Sequence, residues 1–121
     1  MDETRRVVLA EDDADIRTLV TRSLEGEFEV EGFENGRDCW DHLESAEPPD
    51  VLLLDVMLPG MDGTELFERV RADDRLSAVS VLFLTGREES DLPSAVGEEV
   101  DHVAKPFSPS DLRERLHGLV D

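Results

Sequence analysis

Five short apolar runs punctuate the chain: Val7–Ala10, Phe28–Phe33, Val51–Leu54, Val79–Leu84 and Val100–Ala104. Runs of this length bounded by polar residues predict β-strands. The first, third and fourth are nearly continuous in apolar residues, as parallel strands covered on both faces are. The second sets Phe28 and Val30 against polar Glu residues, the pattern of an edge strand. Between the runs the spacing turns helical. Ile16, Leu19, Val20 and Leu24 form one apolar stripe; Cys39, Trp40 and Leu43 form a second; Leu66, Phe67 and Val70 form a third. A last helix opens with a capping serine and a first-turn proline, Ser108-Pro109-Ser110-Asp111, and is expected to bury Leu112, Leu116, Leu119 and Val120. Between the fourth and fifth runs, Pro93 and Gly97 confine any helix to a short piece.

Alternation of strand and helix predicts an α/β fold, a five-stranded parallel sheet with helices on both faces. In such open sheets ligands bind beyond the carboxyl ends of the strands, at the topological switch point. With 121 residues and no linker, repeat or low-complexity tract, residues 1–121 read as a single domain.

Charge narrows the function. The net charge is −19, from 31 acidic and 12 basic residues, which argues against direct nucleic-acid binding and against an anionic membrane surface. Eleven of the basic residues are Arg and one is Lys. An acid-rich, lysine-poor surface suits concentrated salt, where cations screen self-repulsion, so a halophilic origin is expected over an ordinary acidic protein from a GC-rich genome. A single cysteine, Cys39, excludes an intramolecular disulfide and a cysteine-built zinc site. No apolar stretch is long enough to span a bilayer and no apolar signal region opens the chain, so the expected compartment is the cytoplasm.

The chemistry gathers at the strand ends. The first strand runs into Glu11-Asp12-Asp13 and the third into Asp55-Val56-Met57. In so acidic a chain a single Asp is ordinarily solvated surface, but Asp55 sits where a buried strand emerges. If those two strands are neighbours, several carboxylates share one pocket, a conflict that a divalent cation relieves. Oxygen-only ligands favour Mg²⁺, with Mn²⁺ as an alternative. Thr85 ends the fourth run, where a hydroxyl serves equally well as a helix cap. Lys105, the only lysine, precedes Pro106, which holds it extended and aims it across the strand ends. A compact ammonium fits a carboxylate pocket that a forked guanidinium does not.

Taken together, Glu11-Asp12-Asp13, Asp55-Val-Met-Leu-Pro-Gly-Met-Asp-Gly63, Thr85 and Lys105-Pro-Phe107 resemble the receiver domain of two-component response regulators, in order and spacing, over essentially the whole chain. The resemblance implies a flavodoxin-like (CheY-like) doubly wound sheet with strand order 2-1-3-4-5. It implies that Asp55 accepts a phosphoryl group from a sensor histidine kinase or phosphotransfer protein, and that Mg²⁺ is held by Glu11, Asp12, Asp55 and the main-chain carbonyl of Met57. One of the acidic pair usually acts through water. Thr85 and Lys105 match the groups that contact the phosphoryl oxygens; Asp13 falls at a loop or cap position. Such a module belongs to a signalling phosphorelay and is not an enzyme beyond its own phosphotransfer and autodephosphorylation. Its output passes to an attached domain or a partner protein, with homodimerisation through the face around strand 5 and the last helix as a further option.

Departures from the family pattern touch the output side. His102 replaces the usual aromatic residue, Glu98-Glu99 replace a Gly-Ala pair, and Pro93 shortens the fourth helix. Two other readings are weaker. An aspartyl-phosphate hydrolase wants a general acid two residues after its nucleophile, where this chain has Met57; a phosphorylation-independent scaffold has no use for the full set of acids, Thr85 and Lys105. Cys39 and Trp40 are expected in the core, His42 and His117 at the surface, and Met61 and Asp62 in the turn.

Overall fold

In the computed structural model, residues 4–85, 101–104 and 107–120 are described. β1 (Arg5–Ala10), β2 (Phe28–Phe33), β3 (Val51–Asp55) and β4 (Ser80–Thr85) are separated by α1 (Ala14–Ser23), α2 (Gly36–Ser45) and α3 (Gly63–Ala72). β5 (Asp101–Ala104) and α4 (Pro109–Val120) follow. Every pairing is parallel and the sheet order is β2-β1-β3-β4-β5, which leaves β2 on an edge as its alternating pattern predicts. β1 begins two residues before its apolar run because Arg5 and Arg6 pair with Phe28 and Glu29. The segment between β4 and β5, where a shortened helix was expected, lies outside the described residues.

The strands alternate their side chains between two layers, as the pleat demands. Val8, Ala10, Leu52 and Leu54 face Cys39, Trp40 and Leu43 of α2 and Leu66, Phe67 and Val70 of α3. Val7, Leu9, Val51 and Leu53 face Val20 of α1, Leu24 beyond it, and Leu112 and Leu116 of α4. Leu119 and Val120 pack against this second layer but are only partly buried. Trp40 and Cys39 are core residues as expected, and burial pushes the Cys39 thiol up to about 12.

Three expectations need correction. Leu19 is exposed, at 38 %. A helix advances about 100° per residue, so Leu19 falls to one side of the face shared by Ile16, Val20 and Ser23, and Ser23 is the residue buried there. Met61 is not a simple turn residue: it is buried in the α2–α3 layer, directly before the Asp62 cap of α3, as is Leu66 four residues beyond that cap. A hydrophobic residue on each side of a cap is the staple arrangement. His42 is half-buried, with its ring 5.0 Å from that of Phe33.

Candidate functional site

The end of β1 carries the acids into place. The Glu11 N–H donates to the Phe33 carbonyl at 2.9 Å, extending the β1–β2 ladder by one residue beyond Ala10. Glu11 is fully buried, and its Oε2 accepts from the Asp13 N–H at 3.1 Å. Asp13 is the N-cap of α1: its Oδ1 accepts from the N–H groups of Asp15 (2.8 Å) and Ile16 (3.3 Å). That is the cap role expected for it. Asp12, between these two, is exposed.

Asp55 closes β3, where the buried run Val51–Leu54 ends, and is only 7 % exposed. Ala10 lies beside Leu54 in the register, so the next residues of both strands emerge together. The Met57 N–H donates to Asp55 Oδ1 at 3.2 Å, while the Met57 side chain is exposed. The loop beyond is pinned at both ends. The Val56 N–H reaches the Leu84 carbonyl at 3.4 Å, and the Gly63 N–H reaches the Val56 carbonyl at 3.0 Å. Gly63 must be glycine for lack of space: a Cβ there would stand 2.1 Å from the Asp55 carbonyl oxygen. Gly60 supplies the turn with φ of 79°. Asp62 caps α3 through the N–H groups of Thr64 (2.9 Å) and Glu65 (3.1 Å), and hydrogen bonds from the Thr64 hydroxyl and then the Glu65 N–H hold its carboxyl below the usual range.

The result is a trio. One carboxylate oxygen each from Glu11, Asp12 and Asp55 lie within 4.8 Å of one another. Each pair of unit charges at such a separation costs from about 1 kcal/mol in water to about 4 kcal/mol in a partly excluded site. A divalent cation removes that cost. Oxygens on opposite sides of Mg²⁺ stand about 4.2 Å apart, at roughly 2.1 Å from the ion, so a trio of this spread suits Mg²⁺ with slight closure or with one acid acting through water. An open cavity of about 430 Å³ beside Asp12 is lined by Glu34, Asn35, Pro59 and Gly60 and gives a route to it.

Of the predicted site residues, the fold brings Glu11, Asp12 and Asp55 together, with Met57 in the adjoining loop. Thr85 ends β4, next but one to β1 across β3, as its place in the run predicts. The Thr85 and His102 side chains, and Lys105 altogether, lie outside the described residues. Sequence reasoning missed Arg17, whose Nη1 donates to the Glu11 carbonyl at 2.8 Å. No pattern of residue types signals this contact, because the partner is a main-chain carbonyl.

This fold and site define a class, a doubly wound α/β domain with an oxygen-only acid cluster at its switch point. The chain belongs to the response regulator receiver domain family, whose model matches residues 7–117. It is therefore a phosphoacceptor module of the response-regulator type. It is 36 % identical to the transcriptional regulatory protein TrcR of Mycobacterium tuberculosis, over 95 % of this chain and 45 % of TrcR. It is 34 % identical to the response regulator receiver protein CpdR of Brucella abortus, over 96 % of this chain and 97 % of CpdR. The chain thus spans under half of one of these relatives and nearly all of the other. The crystal structure of a putative response regulator from Chloroflexus aurantiacus matches it with a TM-score of 0.89 and 27 % identity, covering 98 % of each chain. Among the described residues no helix is long and apolar enough to cross a membrane.

Proposed function

We propose that Asp55 is the phosphoacceptor and that a Mg²⁺-class ion is held by Glu11, Asp12, Asp55 and the Met57 carbonyl. The observation that carries this reading is the convergence of the three carboxylates at the ends of β1 and β3. Phosphoryl transfer asks chiefly for positioning and charge neutralisation. An Asp55 carboxylate oxygen attacks the phosphorus of a phosphohistidine on a sensor kinase or phosphotransfer protein. The O–P bond forms, the N–P bond breaks, and its electron pair leaves with the imidazole nitrogen. The Met57 N–H keeps Asp55 oriented during the attack. When bound, the ion offsets negative charge on the trio and on the incoming phosphoryl oxygens. Thr85 and Lys105 are assigned to those same oxygens, and a shift of Thr85 toward the phosphoryl group is the switching event.

Residues 1–121 act in this reading as a single cytoplasmic receiver domain within a phosphorelay. It catalyses only its own phosphotransfer and dephosphorylation and signals to an attached output domain or a partner protein. The net charge of −19 supports a halophilic host.

Incubation with acetyl phosphate and Mg²⁺ followed by peptide mapping tests the assignment. One phosphoryl group is expected on the peptide containing Asp55 and none in Asp55→Asn. Undiminished labelling of that variant overturns it.

A further inference from the structure

We infer that Arg17 is a positioning residue for the divalent-cation site, acting through the backbone of the acidic loop; this rests on the metal reading above. Arg17 lies on α1, one turn beyond the Asp13 cap. Its own N–H donates to the Asp13 carbonyl at 3.0 Å, the first turn of the helix. Long helical side chains lean toward the helix N-terminus, so the guanidinium is carried back over the loop it has just left. There Nη1 donates to the Glu11 carbonyl at 2.8 Å.

That bond completes a two-sided tether. The peptide plane before Glu11 is fixed to β2 by the Glu11 N–H donating to Phe33, and the peptide plane after it is fixed to α1 by Arg17. The second plane joins Glu11 to Asp12, so its orientation sets where both carboxylates point. Glu11 is further held through its own carboxylate by the Asp13 N–H. Asp12 is exposed and depends on the peptide plane that Arg17 grips. The side chain runs along Gly32 of β2, where a Cβ would come within 3.5 Å of the Arg17 Cδ.

Two physical effects of Arg17 oppose each other, and their sign separates them. As a cation held against the acidic loop it repels a divalent ion, so removing it on electrostatic grounds alone tightens binding. As a tether it fixes ligand geometry, so removing it loosens binding. Partners outside the ligand shell typically alter metal affinity by about 10- to 100-fold. Arg17 acts through a main-chain carbonyl rather than a ligand atom, which places its effect near the lower limit, and the tether is expected to win.

The experiment titrates Mg²⁺ into the wild type, Arg17→Met, Arg17→Lys and Arg22→Met in molar KCl, following amide NMR shifts of Met57 and Asp13. Both N–H groups donate to trio carboxylates, so both report directly on the site. Arg22 lines the same groove on α1 and serves as the control for loss of one positive charge. Arg17→Met is expected to bind Mg²⁺ about tenfold more weakly, with Arg17→Lys between it and the wild type and Arg22→Met unchanged. Amide spectra without Mg²⁺ verify the fold of each variant; if Arg17→Met does not fold, the Arg17→Lys affinity decides. Unchanged or tighter binding in the folded Arg17 variants overturns the inference while leaving the metal site standing. Absence of any saturable Mg²⁺ response in the wild type overturns both.

Discussion

The contact between Gly63 and the end of β3 makes a quantitative prediction when Gly63 is compared with Gly118. Both glycines lie within helices, where replacement by alanine ordinarily stabilises by about 0.5–1 kcal/mol through reduced backbone entropy of the unfolded chain. At Gly118 in α4 a new Cβ meets nothing within 4 Å, so Gly118→Ala should realise that gain. At Gly63 the Cβ would stand 2.1 Å from the Asp55 carbonyl oxygen, about 0.9 Å inside the 3.0 Å that such contacts respect. The obstructing atoms are backbone, so no side-chain rotation relieves them. The start of α3 must retreat from β3, straining the Gly63–Val56 hydrogen bond and the Asp62 cap. Overpacking of this kind costs about 1–3 kcal/mol. The gain in helix propensity at the first helical residue is smaller than that, so the net effect of Gly63→Ala is destabilisation by about 1–2 kcal/mol. Urea unfolding followed by the fluorescence of buried Trp40 measures both variants on one scale. The two midpoints should move in opposite directions. Because the displaced backbone belongs to Asp55, Gly63→Ala should also weaken Mg²⁺ binding where Gly118→Ala does not. A Gly63→Ala protein as stable as the wild type would refute the reasoning, since it would show that the β3–α3 contact yields without cost.

Asp62→Ala should destabilise by about 1 kcal/mol through loss of the α3 cap. The Asp62 carboxyl is held below its ordinary value of 3.8, so its contribution is present above that pH and lost as pH falls through the lower folded value. The difference between wild type and variant, measured by urea unfolding, should therefore be constant from neutral pH down to about 4 and shrink below it. Cys39, with its thiol raised from 9.0 to about 12, should resist iodoacetamide at pH 8 in the native protein and react readily in urea. The sign for stability follows: the unfolded chain loses the Cys39 proton first, so stability falls as pH rises from about 9 toward 12. The thermal midpoint should rise from dilute buffer to molar KCl, because a net charge of −19 is screened over roughly 3 Å at 1 M salt against about 30 Å at 0.01 M. Equal midpoints would remove the support for a halophilic host.

Much of this was legible in the chain because buried parallel strands write themselves as continuous apolar runs. Val51–Leu54 announced β3, and the polar residue ending it marked the place where the three acids converge. The edge position of β2 was equally plain, from the alternation of Phe28 and Val30 with Glu29 and Glu31. What failed was finer. Leu19 belongs to the apolar stripe by spacing alone, but it lies at the margin of the α1 face and the small polar Ser23 took the buried place. Met61 was read by its neighbours Pro59 and Gly60 as turn, although its position before the Asp62 cap was the staple signal that accounts for its burial. Asp13 is separated from Glu11 and Asp12 only by family resemblance. The structure supplies the physical reason, since its carboxylate is committed to the first amides of α1. Arg17 escaped notice because its partner is a main-chain carbonyl, an atom that no pattern of residue types records.

The sheet also acts as a septum. The two sets of buried residues on its faces have no member in common, and neighbouring residues of β1 and β3 point into opposite compartments. Sequence drift in the α1–α4 compartment can therefore proceed without compensating change in the α2–α3 compartment, so long as strand volume on each side is conserved. The acid trio straddles the rim of this septum, on the ends of two strands that border both compartments. A lineage can on that account rebuild the interior of one flank to suit a new associate, provided it keeps the contacts that reach the rim, Arg17 from α1 and Gly63 from α3.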